Sequence, residues 1–235
     1  MNNNLDYKTG IKDTLPTVFG FIGIAMAFGV IGKSAGLSTA LVGLMSLLVY
    51  AGSAQFITVS MLAATSPILP IILSTFLVNS RMILMSMTLA PYFKDESLGK
   101  NILLGSLLTD ESFGLAVNKL NFTNDKLSFS WLNASNTVAY LTWVISSILG
   151  AILGNFISDP KKFGLDFALV AMFIGLLYLQ VLYDKGLNKT LQLIVIAITL
   201  ALTYLGLIFL PINLLIIVVT LITCGIGVLV KNAFF

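Results

Sequence analysis

The chain of 235 residues is 57% hydrophobic and only 10% charged, with a mean hydropathy of +0.99. A soluble domain carries roughly 25% charged residues, most of them on its water-facing surface, so lipid is the solvent here and soluble, disordered and collagen-like classes are excluded. The net charge of +3, from thirteen Lys and Arg spread over short loops, makes no basic patch for nucleic acid and suits a protein held between anionic leaflets.

A helix needs about 20 residues to cross about 30 Å of hydrocarbon, and charges and Pro/Gly clusters divide the chain at that interval. The stretch up to Lys8 lacks the basic-then-apolar layout of a cleaved signal peptide, so the first apolar run, about 14–33, reads as a retained span. The next, about 39–65, is long and interrupted by Ala51-Gly52-Ser53-Ala54-Gln55, which makes it one broken helix or two half-helices. Spans follow at about 67–91, opened by Pro67, and at about 98–118. The set closes with about 134–157, 164–183, 189–209 and 211–231. The last two are divided by Pro211 with almost no polar loop, so seven or eight crossings are expected.

Runs such as Leu193-Ile-Val-Ile-Ala-Ile198 do not alternate as barrel strands do. The fold class is therefore all-α, a polytopic transmembrane helical bundle of 7–8 spans with a broken helix near Gly52, forming one integral membrane domain over 1–235. Phe28-Gly29-Val-Ile-Gly32 loosely echoes Leu149-Gly150-Ala-Ile-Leu-Gly154 half a chain later, as an internal repeat would. Lysines favour the side of the N-terminus by seven to five, Lys119 among the seven, which places that terminus inside.

The informative residues are those that lipid would not tolerate, because a charge at a helix centre costs a few kcal/mol and turns toward a cavity or a partner. Small residues around Gly52 and Ser53 allow a helix to open and expose backbone groups to a zwitterion, and Gln55 adds a donor and an acceptor. Close helix packing accounts for Gly and Ala there, and less well for Gln55. Asn79-Ser80-Arg81 lies near the middle of its run, where Arg81 can hold a substrate carboxylate or an acidic side chain. Thr109-Asp110-Glu111-Ser112 places adjacent acids about 100° apart on a helix, one toward a cavity and one toward a partner. Asp166 opens a span, where an acid also complements the helix dipole.

Histidine is absent and cysteine occurs once, at Cys224, which reads as a small buried packing residue. Zinc sites, Ser-His-Asp triads and haem ligation by His fall together, so neither a metal nor a cofactor is expected and a carboxylate is the natural proton carrier. Enzymatic activity is not expected. An intramembrane protease would have only an aspartyl pair such as Asp110 with Asp166, and the loops carry no catalytic domain. An amino acid channel or a non-transporting assembly subunit is the other alternative, but channels want a continuous polar lining and these groups come in isolated clusters.

In their order and spacing these residues resemble the AzlC family, the large subunit of branched-chain amino acid exporters. The resemblance runs through Leu15-Pro16, Tyr50-Ala-Gly-Ser-Ala-Gln-Phe56, Asn79-Ser80-Arg81, Thr109-Asp110-Glu111-Ser112-Phe113, Trp143 with Gly150 and Gly154, and Gly164-Leu165-Asp166-Phe167. The usual family pattern has His after the arginine, whereas this chain has Met82, so no role of that histidine carries over. The resemblance implies a multi-pass secondary transporter of the cell membrane that exports Leu, Ile, Val and analogues on the proton gradient. It further implies a small membrane partner of the AzlD type. On this reading Gly52, Ser53, Gln55, Asn79 and Arg81 bind substrate, Asp110 or Glu111 carries the proton, and Asp166 is a secondary candidate.

Overall fold

The computed structural model describes residues 1–157, 162, 164, 167–183, 187–210 and 212–234. Asp166 and the break at Pro211 lie outside them. All regular structure among the described residues is helical. The chain divides into two compact units, Met1–Leu176 and Leu177–Phe235. Helices Tyr7–Ser34, Ile68–Phe93, Phe129–Phe156 and Lys189–Phe209 are long and apolar enough to span a bilayer, and shorter apolar helices accompany them.

The first helix, α1 (Tyr7–Ser34), begins one full turn and more before the apolar run. Asp6 explains the early start: its carboxylate accepts from the Thr9 amide at 2.7 Å, and that bond holds the Asp6 carboxyl below its ordinary pKa. The helix ends where Gly36, at φ +91°, takes the left-handed turn that glycine alone adopts without strain. There Leu37 N–H reaches back to the Gly32 carbonyl and Gly36 N–H to that of Lys33, the paired bonds of a Schellman stop.

Chain order continues with α2 (Thr39–Leu48), α3 (Gly52–Ala63) and α4 (Ile68–Leu89), the last prolonged by a 3₁₀ turn at Ala90–Phe93. Next come α5 (Leu98–Ser106), α6 (Asp110–Leu120) and α7 (Phe129–Leu153). The expected break near Gly52 is present. A second break, between α5 and α6, divides what reads from sequence as one span at about 98–118.

In the first unit α1 and α7 form the spine. About 39% and 44% of their apolar windows are buried within the protein, against 6% for α4, which therefore presents most of its surface outward. Gly10 lies on Trp131 and Gly154 on Lys33, so the two helices run parallel. Toward their C-terminal ends they touch backbone to backbone: a Cβ on Gly29 would stand 2.1 Å from the Ser147 carbonyl oxygen, and one on Gly150 2.2 Å from that of Met26. The two contacts are reciprocal, each glycine facing the residue one turn before the other. Lipid offers no hydrophobic drive between helices, so such close van der Waals contact is what holds them. Phe21 and Phe28 of α1, Phe56 of α3 and Trp143 of α7 fill the remaining space, with ring centroids 5.3 Å apart for Phe21–Trp143 and 5.5 Å for Phe28–Phe56.

Gly29→Ala or Gly150→Ala is accordingly expected to lower stability by about 1–3 kcal/mol, because a methyl group must displace backbone on the facing helix. Gly114→Ala, with nothing within 4 Å of the new carbon, is the neutral control. Thermal unfolding of the detergent-purified variants checks this, and equal midpoints for all three would contradict the close approach.

One end of this unit holds a buried charge. Lys119, in the last turn of α6, is wholly buried, with its ammonium 2.7 Å from Asp13 Oδ2 and 2.9 Å from the Asn2 carbonyl. The Trp131 indole N–H donates to the same Asp13 oxygen at 3.0 Å, and the ammonium lies 5.3 Å from the Trp131 ring centroid. Lys119 is thus not the free loop charge that an orientation count assumes.

The second unit contains α9 (Lys189–Phe209), capped by the Asn188 side chain on the Thr190 amide at 2.8 Å. It packs against α10 (Ile212–Phe234), where Leu215 fits over Gly206. Cys224 on α10 is exposed, contrary to the expected buried packing role, because the lipid-facing side of such a helix is as apolar as its inner side. The helix α8 (Ala168–Tyr183) precedes these two.

Candidate functional site

The site is built where the two broken helices restart. At the first break the Met45 carbonyl takes the amides of both Val49 and Tyr50, and the chain turns through Tyr50 at φ +42°. The left-handed region is costly for a bulky residue, on the order of 1–3 kcal/mol. Ala51 stands at the N-cap of α3 and offers no side-chain acceptor, so the first amides of α3 lack a side-chain cap.

The second break is chemically different. Thr109 caps α6 by accepting from the Ser112 amide at 3.3 Å, while the Ser112 hydroxyl accepts from the Thr109 amide at 2.9 Å. Asp110 and Glu111 occupy the first turn, where carboxylates complement the positive end of the helix. The motif that reads as acids in mid-span is a helix start.

Helix breaks at membrane depth strand backbone groups that lipid cannot satisfy, and one face of α7 supplies partners for both. The Tyr140 hydroxyl donates to the Leu47 carbonyl at the end of α2 at 2.9 Å. The Asn136 amide donates to the Leu104 carbonyl near the end of α5 at 3.2 Å. Trp143 N–H donates to Gln55 Oε1 at 3.0 Å, and the Gln55 amide donates to the Ser46 hydroxyl at 3.2 Å. Asn136, Tyr140 and Trp143 recur at helical spacing, so they share that face.

From α4, Arg81 ties the two restarts together. Its Nη2 donates to the Ser53 hydroxyl at 2.9 Å and to Asp110 Oδ2 at 2.7 Å. Two positive helix ends, each worth about half a charge, and one guanidinium therefore face the two adjacent carboxylates in near balance.

Asp110 and Glu111 line one pocket with Tyr50, Gly52, Ser53 and Thr109, walled by Phe21, Met82 and Trp143. Phe21 and Trp143 sit near the middle of α1 and α7, which puts the pocket at mid-depth of the long helices. Its volume is about 20 Å³, room for a single water and not for an amino acid.

Of the residues singled out by sequence, Gly52, Ser53, Asp110 and Glu111 line the pocket and Arg81 bonds directly to Ser53 and Asp110. Gly52 also makes room for Trp143, since a Cβ there would stand 2.7 Å from the indole. Gln55 is fully buried and both ends of its amide are taken by Ser46 and Trp143; it holds the helix break and does not line the pocket. Asn79 lies two positions before Arg81, about 200° round the helix, and its Oδ1 is buried without a hydrogen-bond partner. Asp166 lies outside the described residues. Sequence reading missed Tyr50, Met82, Thr109 and Trp143 as pocket residues. Thr109 was findable, because Thr followed at once by two acids marks a helix N-terminus. Among the described residues no three His, Cys, Asp or Glu side chains converge as a metal would require.

The family model described as AzlC protein matches residues 16–157, which contain both breaks, Arg81 and most of the spine. The chain is 29% identical over 192 residues to the inner membrane protein YgaZ of Escherichia coli K12, covering 80% of this chain and 78% of that one. It is 26% identical over 184 residues to the branched-chain amino acid transport protein AzlC of Bacillus subtilis 168, covering 76% and 69%. An uncharacterised membrane protein of Helicobacter pylori J99 is 28% identical over 187 residues, covering 77% and 78%. No solved structure matches the chain.

Proposed function

The chain belongs to the AzlC family of membrane proteins, and from that premise we propose that it is a secondary transporter exporting branched-chain amino acids across the cell membrane on the proton gradient. The observation that carries this reading is the convergence of two interrupted helices and Arg81 on one mid-depth pocket. Discontinuous helices whose N-termini face a shared pocket are how carriers hold a small charged solute within the bilayer. A zwitterion with a branched tail needs a carboxylate site, an ammonium site and an apolar wall. Helix ends, acids, and Phe21, Met82 and Trp143 supply these in turn. The name of the Bacillus subtilis relative, a branched-chain amino acid transport protein, supports this substrate class.

Arg81 is committed to Ser53 and Asp110, so its task is to join the restarts rather than to meet the substrate carboxylate alone. Two adjacent carboxylates share this one guanidinium, and Glu111 is the member we assign to the proton. When protonated it leaves the pocket one negative charge poorer, which couples occupancy to the gradient. Met82 lines the pocket at the position where the usual family pattern has His, so proton transfer here runs through carboxyl groups. A pocket with room for a single water supports a carrier that must rearrange to take up its solute, not a continuous pore. The reciprocal contact of α1 with α7 supports an internal repeat. We further propose that the whole chain acts as one transporter domain beside a small AzlD-type subunit.

The test is efflux of labelled valine from cells carrying this chain and its small partner. Asp110→Asn combined with Glu111→Gln is expected to abolish gradient-dependent efflux while the protein remains in the membrane. Efflux undiminished by that pair would discard the carboxylate role, and wild-type cells no faster than empty-vector cells would discard export.

A further inference from the structure

Tyr50 is the feature of the pocket left unexplained. It holds the left-handed conformation at φ +42° in the first break, is 7% exposed, and its hydroxyl is buried without a hydrogen-bond partner. Its ring is fixed edge-on against Tyr140 at 4.8 Å between centroids, and Tyr140 is itself tied to the Leu47 carbonyl. The phenol is therefore held in place on the pocket wall beside Gly52 and Ser53, with its polar atom unmatched. An unmatched buried hydroxyl destabilises the fold, and strained backbone adds to it. The fold retains both at one residue.

The contrast between the two restarts says what would match it. The N-terminus of α6 is closed by its capping box and carries two acids. That of α3 has no side-chain cap and carries no acid. The α3 amides and the phenol O–H are thus donors of the pocket that no side chain has matched, whereas the carboxylates belong to the other restart. We propose that the Tyr50 hydroxyl and the uncapped N-terminus of α3 form the subsite for the substrate's α-carboxylate, with the ammonium directed to the acids of α6. This deepens the transporter reading and rests on it. It makes a free carboxylate, rather than the branched tail alone, the feature recognised at the first break.

Tyr50→Phe removes only the oxygen and keeps the ring packing on Tyr140. The full-length protein in proteoliposomes is expected to bind L-valine about 10- to 100-fold more weakly with this change, as loss of a hydrogen bond to a charged group requires. Valinamide, which keeps the ammonium and lacks the carboxylate, is expected to bind the wild type weakly and the variant no worse. Thermal unfolding of the variant is expected at or above the wild-type temperature, since an unmatched buried group is gone. Equal weakening of valine and valinamide would overturn the proposal by assigning the hydroxyl to the ammonium end. Unchanged valine affinity would overturn it alone, whereas failure of the wild type to bind valine saturably would overturn the transporter reading and this subsite with it.

Discussion

Replacing Lys119 with alanine is expected to cost the fold about 3–5 kcal/mol, the loss typical when one partner of a buried ion pair is removed. The carboxylate of Asp13 then keeps a single indole N–H donor from Trp131 in place of an ammonium at 2.7 Å. The carbonyl of Asn2 loses its donor as well, and with it the tie that holds the first residues to the end of the bundle. Removing both charges together is a different matter, because a buried ion pair and uncharged side chains of similar volume are often close in free energy. Lys119→Met with Asp13→Asn is therefore expected to recover much of what Lys119→Ala loses. Thermal unfolding in detergent, run as a double-mutant cycle, reads this coupling. Single changes that each cost under about 1 kcal/mol, or a double variant as poor as the two losses combined, would show that the pair is not coupled.

What was legible in the sequence follows how local the determining interactions are. The span at about 67–91 is recovered as α4, Ile68–Leu89, because Pro67 suits a helix start and the run after it is unbroken. The break near Gly52 was readable from small residues in a row. The break before Asp110 was not, although its signal is equally local. Two acids in an apolar run invite a functional reading, and the same two acids after Thr109 are what a helix N-terminus requires. Gln55 misleads for a different reason: its partners are Ser46 and Trp143, the latter 88 residues away, and nothing near Gln55 announces an indole. Lys119 counts in the sequence only as one lysine among seven, and its partner Asp13 stands 106 positions away, so nothing near either announces the pair. The pocket chemistry was therefore visible residue by residue, while the pairing that separates binding from bracing depends on contacts that composition and spacing do not carry.

Arg81→Lys is expected to leave folded protein in the membrane and to lower valine transport by about 10- to 100-fold, because charge is kept and geometry is lost. A single guanidinium nitrogen serves both Ser53 at 2.9 Å and Asp110 at 2.7 Å, with two hydrogens fixed in one plane. An ammonium on a shorter, freely rotating stem satisfies one of these acceptors well and the other poorly. The restarts of α3 and α6 are then joined through one bond in place of two. Arg81→Ala is expected to go further and abolish transport, since two carboxylates would face only the half-charges of the helix ends. Adding Asp110→Asn to Arg81→Ala restores the charge balance without restoring the bridge, so it is expected to recover heat resistance and not valine efflux. That combination separates two tasks a single substitution confounds. If efflux returned with the charge balance, the guanidinium would be a counter-ion only, and the joining of the two helix starts would have no part in transport. Were Arg81→Lys as active as the wild type, the same conclusion would follow from the opposite side, because charge would then suffice in any geometry.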